Sequence, residues 1–339
     1  MYPHVHTPLS LGKITLRNRI VMAPMASAKS ERDGSVTQAL CDHYAERAQG
    51  GLLGLVETEH HYVSNEGRAA ARQASISRDS DVDGLAREAE AVHACETPVF
   101  VQISHAGSAA PQSVIRQVAV APSPVTCPGA KVGHPLPREL TRDEIRRIVE
   151  CFARAAARAR LAGFDGVEVH AAHGYLLDQF FSPMTNRRDD EYGGPLRNRM
   201  RIILQVVDAI RSEVGHDLAL SVRLGGCDYR EGGSTIEDAT KAAVLLQGAG
   251  VDLISLSGGM NYYSRLHTLE PGWFKDMSRP VRDALVGDAD ERGAQPTPVL
   301  LTGGIKLPSQ ADALLAEGSC DLAGVGRAIL NNERWAGKL

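Results

Sequence analysis

The sequence predicts an α/β protein of the (β/α)8, or TIM-barrel, class, and three observations carry that expectation. Eight short runs rich in Val, Ile and Leu recur along the 339 residues. Patterns with helical spacing separate them, which implies parallel pairing through crossovers. Polar residues and glycines gather at the carboxyl ends of the runs, the end at which such barrels carry their chemistry. An open doubly wound sheet also satisfies the alternation, but two domains of that kind need a linker and none is visible. The chain is therefore read as one domain over residues 1–339.

The first run covers 19–22 and leads into Ala23-Pro24-Met25; the second covers 52–56. The third, 99–103, carries Gln102 near its end, and the fourth covers 167–170. The remaining four cover 218–224, 253–256, 299–301 and 322–325. Most are closed by Gly, Pro or a polar residue, as buried strands are. The clearest helix spans 143–161, with Ile145, Ile148, Val149 and Phe152 at helical spacing. Ahead of it, Thr141-Arg-Asp-Glu144 has the form of a capping box. Further helices are expected over 196–214, 235–247 and 308–317, with less regular patterns at 38–49, 81–95 and 277–286. The Pro-containing stretch 109–137 falls between strand three and its helix and reads as a lid or excursion over the barrel mouth.

Composition narrows the function. A hydrophobic fraction of 43% with 23% charged residues is that of a soluble globular chain. A net charge of −4 supplies no basic field for nucleic acid, and no stretch is apolar enough to span a membrane. The six cysteines are scattered without a CxxC pair, which argues against a zinc ribbon, an iron–sulfur cluster in this chain or a disulfide framework. The opening MYPHVHTPL lacks the features of a signal peptide, so the cytoplasm is the expected compartment.

Strand seven runs into Thr302-Gly303-Gly304-Ile305 and strand eight into Gly324-Val325-Gly326-Arg327. Glycines after these two strands let backbone N–H groups approach a phosphate, and an arginine fork suits it. GVGRAI lacks the third glycine of a nicotinamide fingerprint, and no further strand follows it. Arg223 ends an apolar run and needs an anion, either a barrel carboxylate such as Glu168 or a reduced flavin. The Gln102 amide offers the donor and acceptor that a flavin pyrimidine edge requires. Alternation on strand four places Glu168 and His170 on one face, with Val167 and Val169 on the other. His173 and Tyr175 then fall on the following turn. Two imidazole N–H groups can polarise a carbonyl oxygen while a phenol delivers a proton to carbon, which suits reduction of a double bond conjugated to that carbonyl.

The stretch HAAHGYLLDQFFSPMTNRRDDEYGG resembles the signature of the Old Yellow Enzyme family of flavin-dependent ene-reductases. The likeness extends through PLSLGKITLRNRIVMAPM, VQISHAG, LTGGI and DLAGVGRAIL, over nearly the whole chain. The resemblance implies FMN across the barrel mouth, with NAD(P)H as electron donor and a small unsaturated carbonyl compound as substrate. It assigns His170 and His173 to the substrate oxygen and Tyr175 to proton donation. It places Gln102 and Arg223 at the isoalloxazine ring, with Pro24, Met25, Ala26 and Thr58 lining it through backbone. Gly304, Gly326 and Arg327, with Gly303 beside them, take the phosphate. No metal is implied, and a homo-oligomer is left open. Ala26 stands where smaller bacterial members often carry a flavin-tuning cysteine, and Ser27 and Ala28 lack the aromatic group those members use to shape the pocket.

The opening and closing segments resemble the dienoyl-CoA reductase-like branch. Members of that branch continue into an iron–sulfur cluster and a second domain, so the chain is either a complete enzyme or the barrel of a longer protein. Three rival readings are a metal-dependent barrel hydrolase using His4-Val5-His6 with His170 and His173, a flavin module without catalysis, and an amine demethylase. Tyr262, Tyr263 and Trp273 face either the substrate or the barrel rim.

Overall fold

The computed structural model describes residues 2–128, 135–260 and 270–339. Eight parallel strands close into a barrel: β1 (Ile20–Met22), β2 (Leu55–Tyr62), β3 (Val99–Ser104), β4 (Gly166–Ala171), β5 (Ala219–Cys227), β6 (Leu253–Gly258), β7 (Val299–Thr302) and β8 (Leu322–Val325). Each pairs with its neighbours in sequence, and β8 closes on β1 through Ala323–Ile20, Gly324–Val21 and Val325–Met22. The outer helices follow in turn: α1 (Gln38–Ala48), α2 (Val82–His93), α3 (Arg142–Leu161), α4 (Arg201–Val214), α5 (Ile236–Gly248), α6 (Lys275–Arg292), α7 (Pro308–Ala316) and the short α8 (Arg327–Leu330).

The amino-terminal end of the barrel is stoppered. An antiparallel hairpin, Leu9–Leu11 with Ile14–Leu16, crosses it. Leu11 and Leu16 pack there on Val21, Leu55, Phe100, Ala219, Leu253, Leu300 and Leu322, one residue from each of seven strands. Strand β4 contributes a glycine to this layer: a Cβ on Gly166 would lie 2.5 Å from the Phe100 ring. The small residue makes room for the large one, as close packing requires. Access is thereby confined to the carboxyl-terminal mouth.

Several expected elements shift. The second strand is not 52–56 but Leu55–Tyr62, with a register shift between Thr58 and His60. Its second half, Glu57-Thr58-Glu59-His60-His61, is polar because the mouth end of the barrel interior is polar, and a search for apolar runs stops at Val56. The helix expected over 196–214 divides into Leu196–Arg199 and α4. That expected over 277–286 extends to Lys275–Arg292 with Pro280 inside it. The capping box of α3 forms as expected. The Glu144 N–H donates to Thr141 Oγ1 at 3.3 Å, and the Thr141 N–H donates to Glu144 Oε2 at 2.8 Å.

The excursion over 109–137 is described except for 129–134. It holds a short helix, Gln112–Ile115, and a strand, Val120–Ala121, that pairs with Arg138–Glu139. The Arg- and Asp-rich loop after β4 straps it down. Arg188 donates to the carbonyls of Pro122 (3.0 Å) and Leu140 (2.8 Å) and forks onto Asp190 (2.9 and 2.6 Å). Two N–H groups against one carboxylate is the strong, directional form of the arginine ion pair. Among the described residues, no helix is long and apolar enough to cross a membrane.

Candidate active site

The turn after β4 sets the site. His173 and Gly174 both adopt left-handed conformations, φ 59° and 74°. Such a conformation is uncommon for a side-chain-bearing residue and persists only where its surroundings hold it. Here the Gly174 peptide is clamped on both edges. Its N–H donates to Asp178 Oδ2 at 2.7 Å, and its carbonyl accepts from Gln179 Nε2 at 2.6 Å and from the Cys127 thiol at 3.4 Å. Asp178 and Gln179 lie on the short helix Leu176–Phe181, and Cys127 comes from the excursion. Sequence alternation thus places His170 on the strand, and the clamp brings the other two groups to it. The His170 ring lies 5.0 Å from that of His173 and is stacked on Tyr175 at 4.8 Å.

Both histidines are neutral. Burial, first of all, lowers their pKa values well below the usual imidazole range, and the positive Arg223 adds to the effect. His170 Nδ1 accepts the Ala172 N–H at 3.2 Å, which leaves its proton on Nε2. His173 Nε2 meets Ser257 Oγ at 2.7 Å. Burial also lowers His60 and His43 to about 4. His61, beside Glu88, and His93, beside Asp165, are shifted upward instead. Unfolded imidazoles take up protons from about pH 6.5 downward, whereas the four lowered ones stay neutral further down, His60 and His43 to about 4. These four therefore oppose folding as the pH falls, while the two raised imidazoles and the carboxyls of Glu57, Glu59 and Asp178, held above the usual carboxylate range by burial, favour it.

Beneath this cluster lies a charged layer. Gln102 Nε2 donates to Glu168 Oε1 at 2.6 Å. Arg223 Nη1 stands 3.6 Å from Glu168 Oε1 and 3.9 Å from Glu57 Oε2, beyond hydrogen-bonding range. Its Nη2 donates to Thr302 Oγ1 at 3.2 Å. The Nε and Nη1 groups find no acceptor among the described residues, although Arg223 is only 5% exposed. Burial and the neighbouring Glu168 hold Glu57 well above the usual carboxylate range, so Arg223 faces it as a neutral acid. The Glu168 pairing expected as one alternative is therefore present, yet it leaves buried donors unmet.

A cavity of about 540 Å3 opens from His173 and Arg223, passes Pro24 and Met25, and ends at Gly303, Gly304, Gly326 and Arg327. The glycines are needed there. Gly304 has φ 72°, and a Cβ on it would come 2.3 Å from Trp273 Nε1. A Cβ on Gly326 would come 3.0 Å from Met25 Sδ. Arg327 lies over the Trp273 ring at 4.9 Å, and Lys306 borders the same end of the cavity. Unmet Arg223 donors at one end and a glycine cradle with two cations at the other fit a long, anionic, phosphate-bearing cofactor.

Not every expected residue lines this cavity. Ala26 is exposed beside it, Thr58 is fully buried with a hydroxyl that finds no partner among the described residues, and Gln102 reaches Glu168 instead. Trp273 lies against the cradle glycines; Tyr262 and Tyr263 fall outside the described residues. The HxH pair is at the opposite end of the barrel. The Val5 carbonyl accepts the Arg19 N–H just before β1, and His6 Nε2 meets the Leu339 carbonyl. Sequence reasoning missed Lys306, Ser257 and His60. The one available signal was their place directly after a strand or at its mouth end.

A closed parallel barrel with an anion cradle at one end of its mouth cavity and a neutral histidine pair at the other is the build of a cofactor-dependent oxidoreductase. The chain belongs to the NADH:flavin oxidoreductase / NADH oxidase family, whose model matches residues 4–339. It is 39% identical to an NADH oxidase of Thermoanaerobacter brockii over 99% of its own length, but spans only 50% of that relative. It is 38% identical to an NADPH dehydrogenase of Listeria innocua, covering 96% of this chain and 91% of the relative. The structure of an Old Yellow Enzyme homologue from Zymomonas mobilis superposes with a TM-score of 0.79 at 26% identity, over 97% of this chain and 90% of the other. The family's cofactor is accordingly FMN.

Proposed function

We propose that the chain reduces the carbon–carbon double bond of α,β-unsaturated carbonyl compounds with electrons from NAD(P)H. The observation that carries this reading is the clamped cluster of two neutral imidazoles with a phenol stacked on one of them. The hydride would come from FMN bound in its reduced form in the mouth cavity. His170, through Nε2–H, and His173 hold the carbonyl oxygen and draw electron density from the alkene. Tyr175 donates its proton to the carbon next to the carbonyl. Of the residues expected at the cofactor, Pro24, Met25 and Arg223 line the cavity and would border its ring, while Gly303, Gly304, Gly326 and Arg327 would hold its phosphate.

Incubation with FMN, NADPH or NADH and cyclohexenone tests the activity, and the saturated ketone is the expected product. Its absence with both donors defeats the proposal. His170→Ala is expected to weaken phenol binding by about tenfold and to lower enone kcat/KM by about 10²-fold, as removal of an oxyanion donor does. Spectral titration and steady-state rates check the two effects.

A second reading treats the chain as the catalytic barrel of a longer flavoenzyme, and rests on its spanning half of the Thermoanaerobacter relative. Steady-state turnover by this chain alone separates the two. Sustained NAD(P)H-driven rates favour the self-sufficient enzyme. Turnover that appears only with an artificial electron donor favours the barrel of a larger assembly.

A further inference from the structure

His60 stands at the mouth end of β2, and neither the oxygen clamp nor the proton donor described above uses it. Its ring lies 5.5 Å from that of Tyr175 and 6.4 Å from that of His170, nearly perpendicular to both. Its hydrogen bonding fixes where its proton sits. Gln73 Oε1 accepts the Ala69 N–H at 2.6 Å, so the other end of that amide is the donor. Gln73 Nε2 points at His60 Nδ1 at 2.7 Å and at the His60 carbonyl at 3.0 Å. Ser104 Oγ lies 3.5 Å from the same ring nitrogen. Nδ1 therefore accepts, and the proton is on Nε2. Burial keeps the ring neutral at ordinary pH. His60 is half-buried, and no acceptor for its Nε2–H is present among the described residues. The result is a third neutral imidazole donor, oriented from behind and set against Tyr175.

We propose that His60 determines acceptor specificity: its Nε2–H receives a second oxygen of the substrate, so that alkenes conjugated to a carbonyl at each end are preferred over simple enones. This inference rests on the alkene reduction proposed above. The chemistry balances as it does for an enone. One hydride and one proton add across the double bond, two C–H bonds form, the π bond is lost, and NAD(P)H becomes NAD(P)+. The second carbonyl lowers the electron density of the alkene further, and a donor placed for it rewards that oxygen while contributing nothing to a substrate that lacks it.

The test compares ketoisophorone, an ene-dione, with its analogue lacking the second carbonyl, and para-hydroxybenzaldehyde with phenol. The first pair is read by kcat/KM, the second by dissociation constants from spectral titration of the FMN-bound protein. In wild type the member with the second oxygen is favoured in each pair. His60→Ala is expected to erase about tenfold of that preference, with the one-oxygen member of each pair changed less than about twofold. His60→Gln, which keeps an N–H donor, is expected to restore most of it. Preferences unchanged in His60→Ala overturn the proposal, as does a loss shared equally by both members. If wild type reduces neither alkene, ene reduction fails and the phenol pair alone decides the role of His60.

Discussion

Replacing Tyr175 with Phe is expected to slow reoxidation of the reduced enzyme by cyclohexenone by about 10²–10⁴-fold, the range over which a positioned proton donor contributes. Reduction by NAD(P)H is expected to stay close to wild type. In the proposed mechanism the two half-reactions separate because the hydroxyl would serve only the protonation of carbon, while the ring itself stays stacked on His170. Phe preserves that stacking surface, so the geometry of the imidazole pair is kept. Stopped-flow measurement of each half-reaction provides the check. Equal loss in both halves would mean that the ring supports the pocket and donates nothing. No loss in either would assign the proton to another group.

The second large effect is expected at the cradle. Gly304→Val adds a side chain where a Cβ already meets Trp273 at 2.3 Å, at a φ of 72° that branched residues strongly resist. The protein is expected to be purified without colour and to bind added FMN at least about 10²-fold more weakly, the loss of one or two charge-assisted phosphate contacts. A folding defect alone would also remove colour, so a milder variant is needed. Arg327 is exposed and contacts Trp273 from outside. Arg327→Ala is expected to raise the FMN dissociation constant by about tenfold with a thermal midpoint of the apoprotein close to wild type. Calorimetric titration with FMN and with riboflavin, which lacks the phosphate, locates the effect: the FMN advantage over riboflavin shrinks if Arg327 serves the phosphate and persists if it does not.

The barrel was legible because its strands are buried on both faces. Val99–Ser104 and Gly166–Ala171 read as strands by composition alone, since apolar packing selects their residues. Legibility failed where the barrel interior turns polar. Strand β2 runs six residues beyond the point at which its hydrophobicity ends, and His60 was invisible for the same reason. The His170–Tyr175 cluster was readable because it is local, its three members lying within one turn of chain. What holds it was not. The clamp on Gly174 joins Cys127 to Asp178 and Gln179 across a loop whose path no periodicity encodes. Arg223 was half legible: a buried cation announces a need for an anion but not whether the fold meets it. Here a separation of 3.6 Å leaves part of that need open.

The plug formed by Leu11 and Leu16 has one more consequence. A tube closed at its base has a single doorway. If the chain works as proposed, electron donor and electron acceptor share that threshold, and each must leave before the other can arrive. Selectivity on such a surface is a compromise, since walls shaped for one visitor also greet the other.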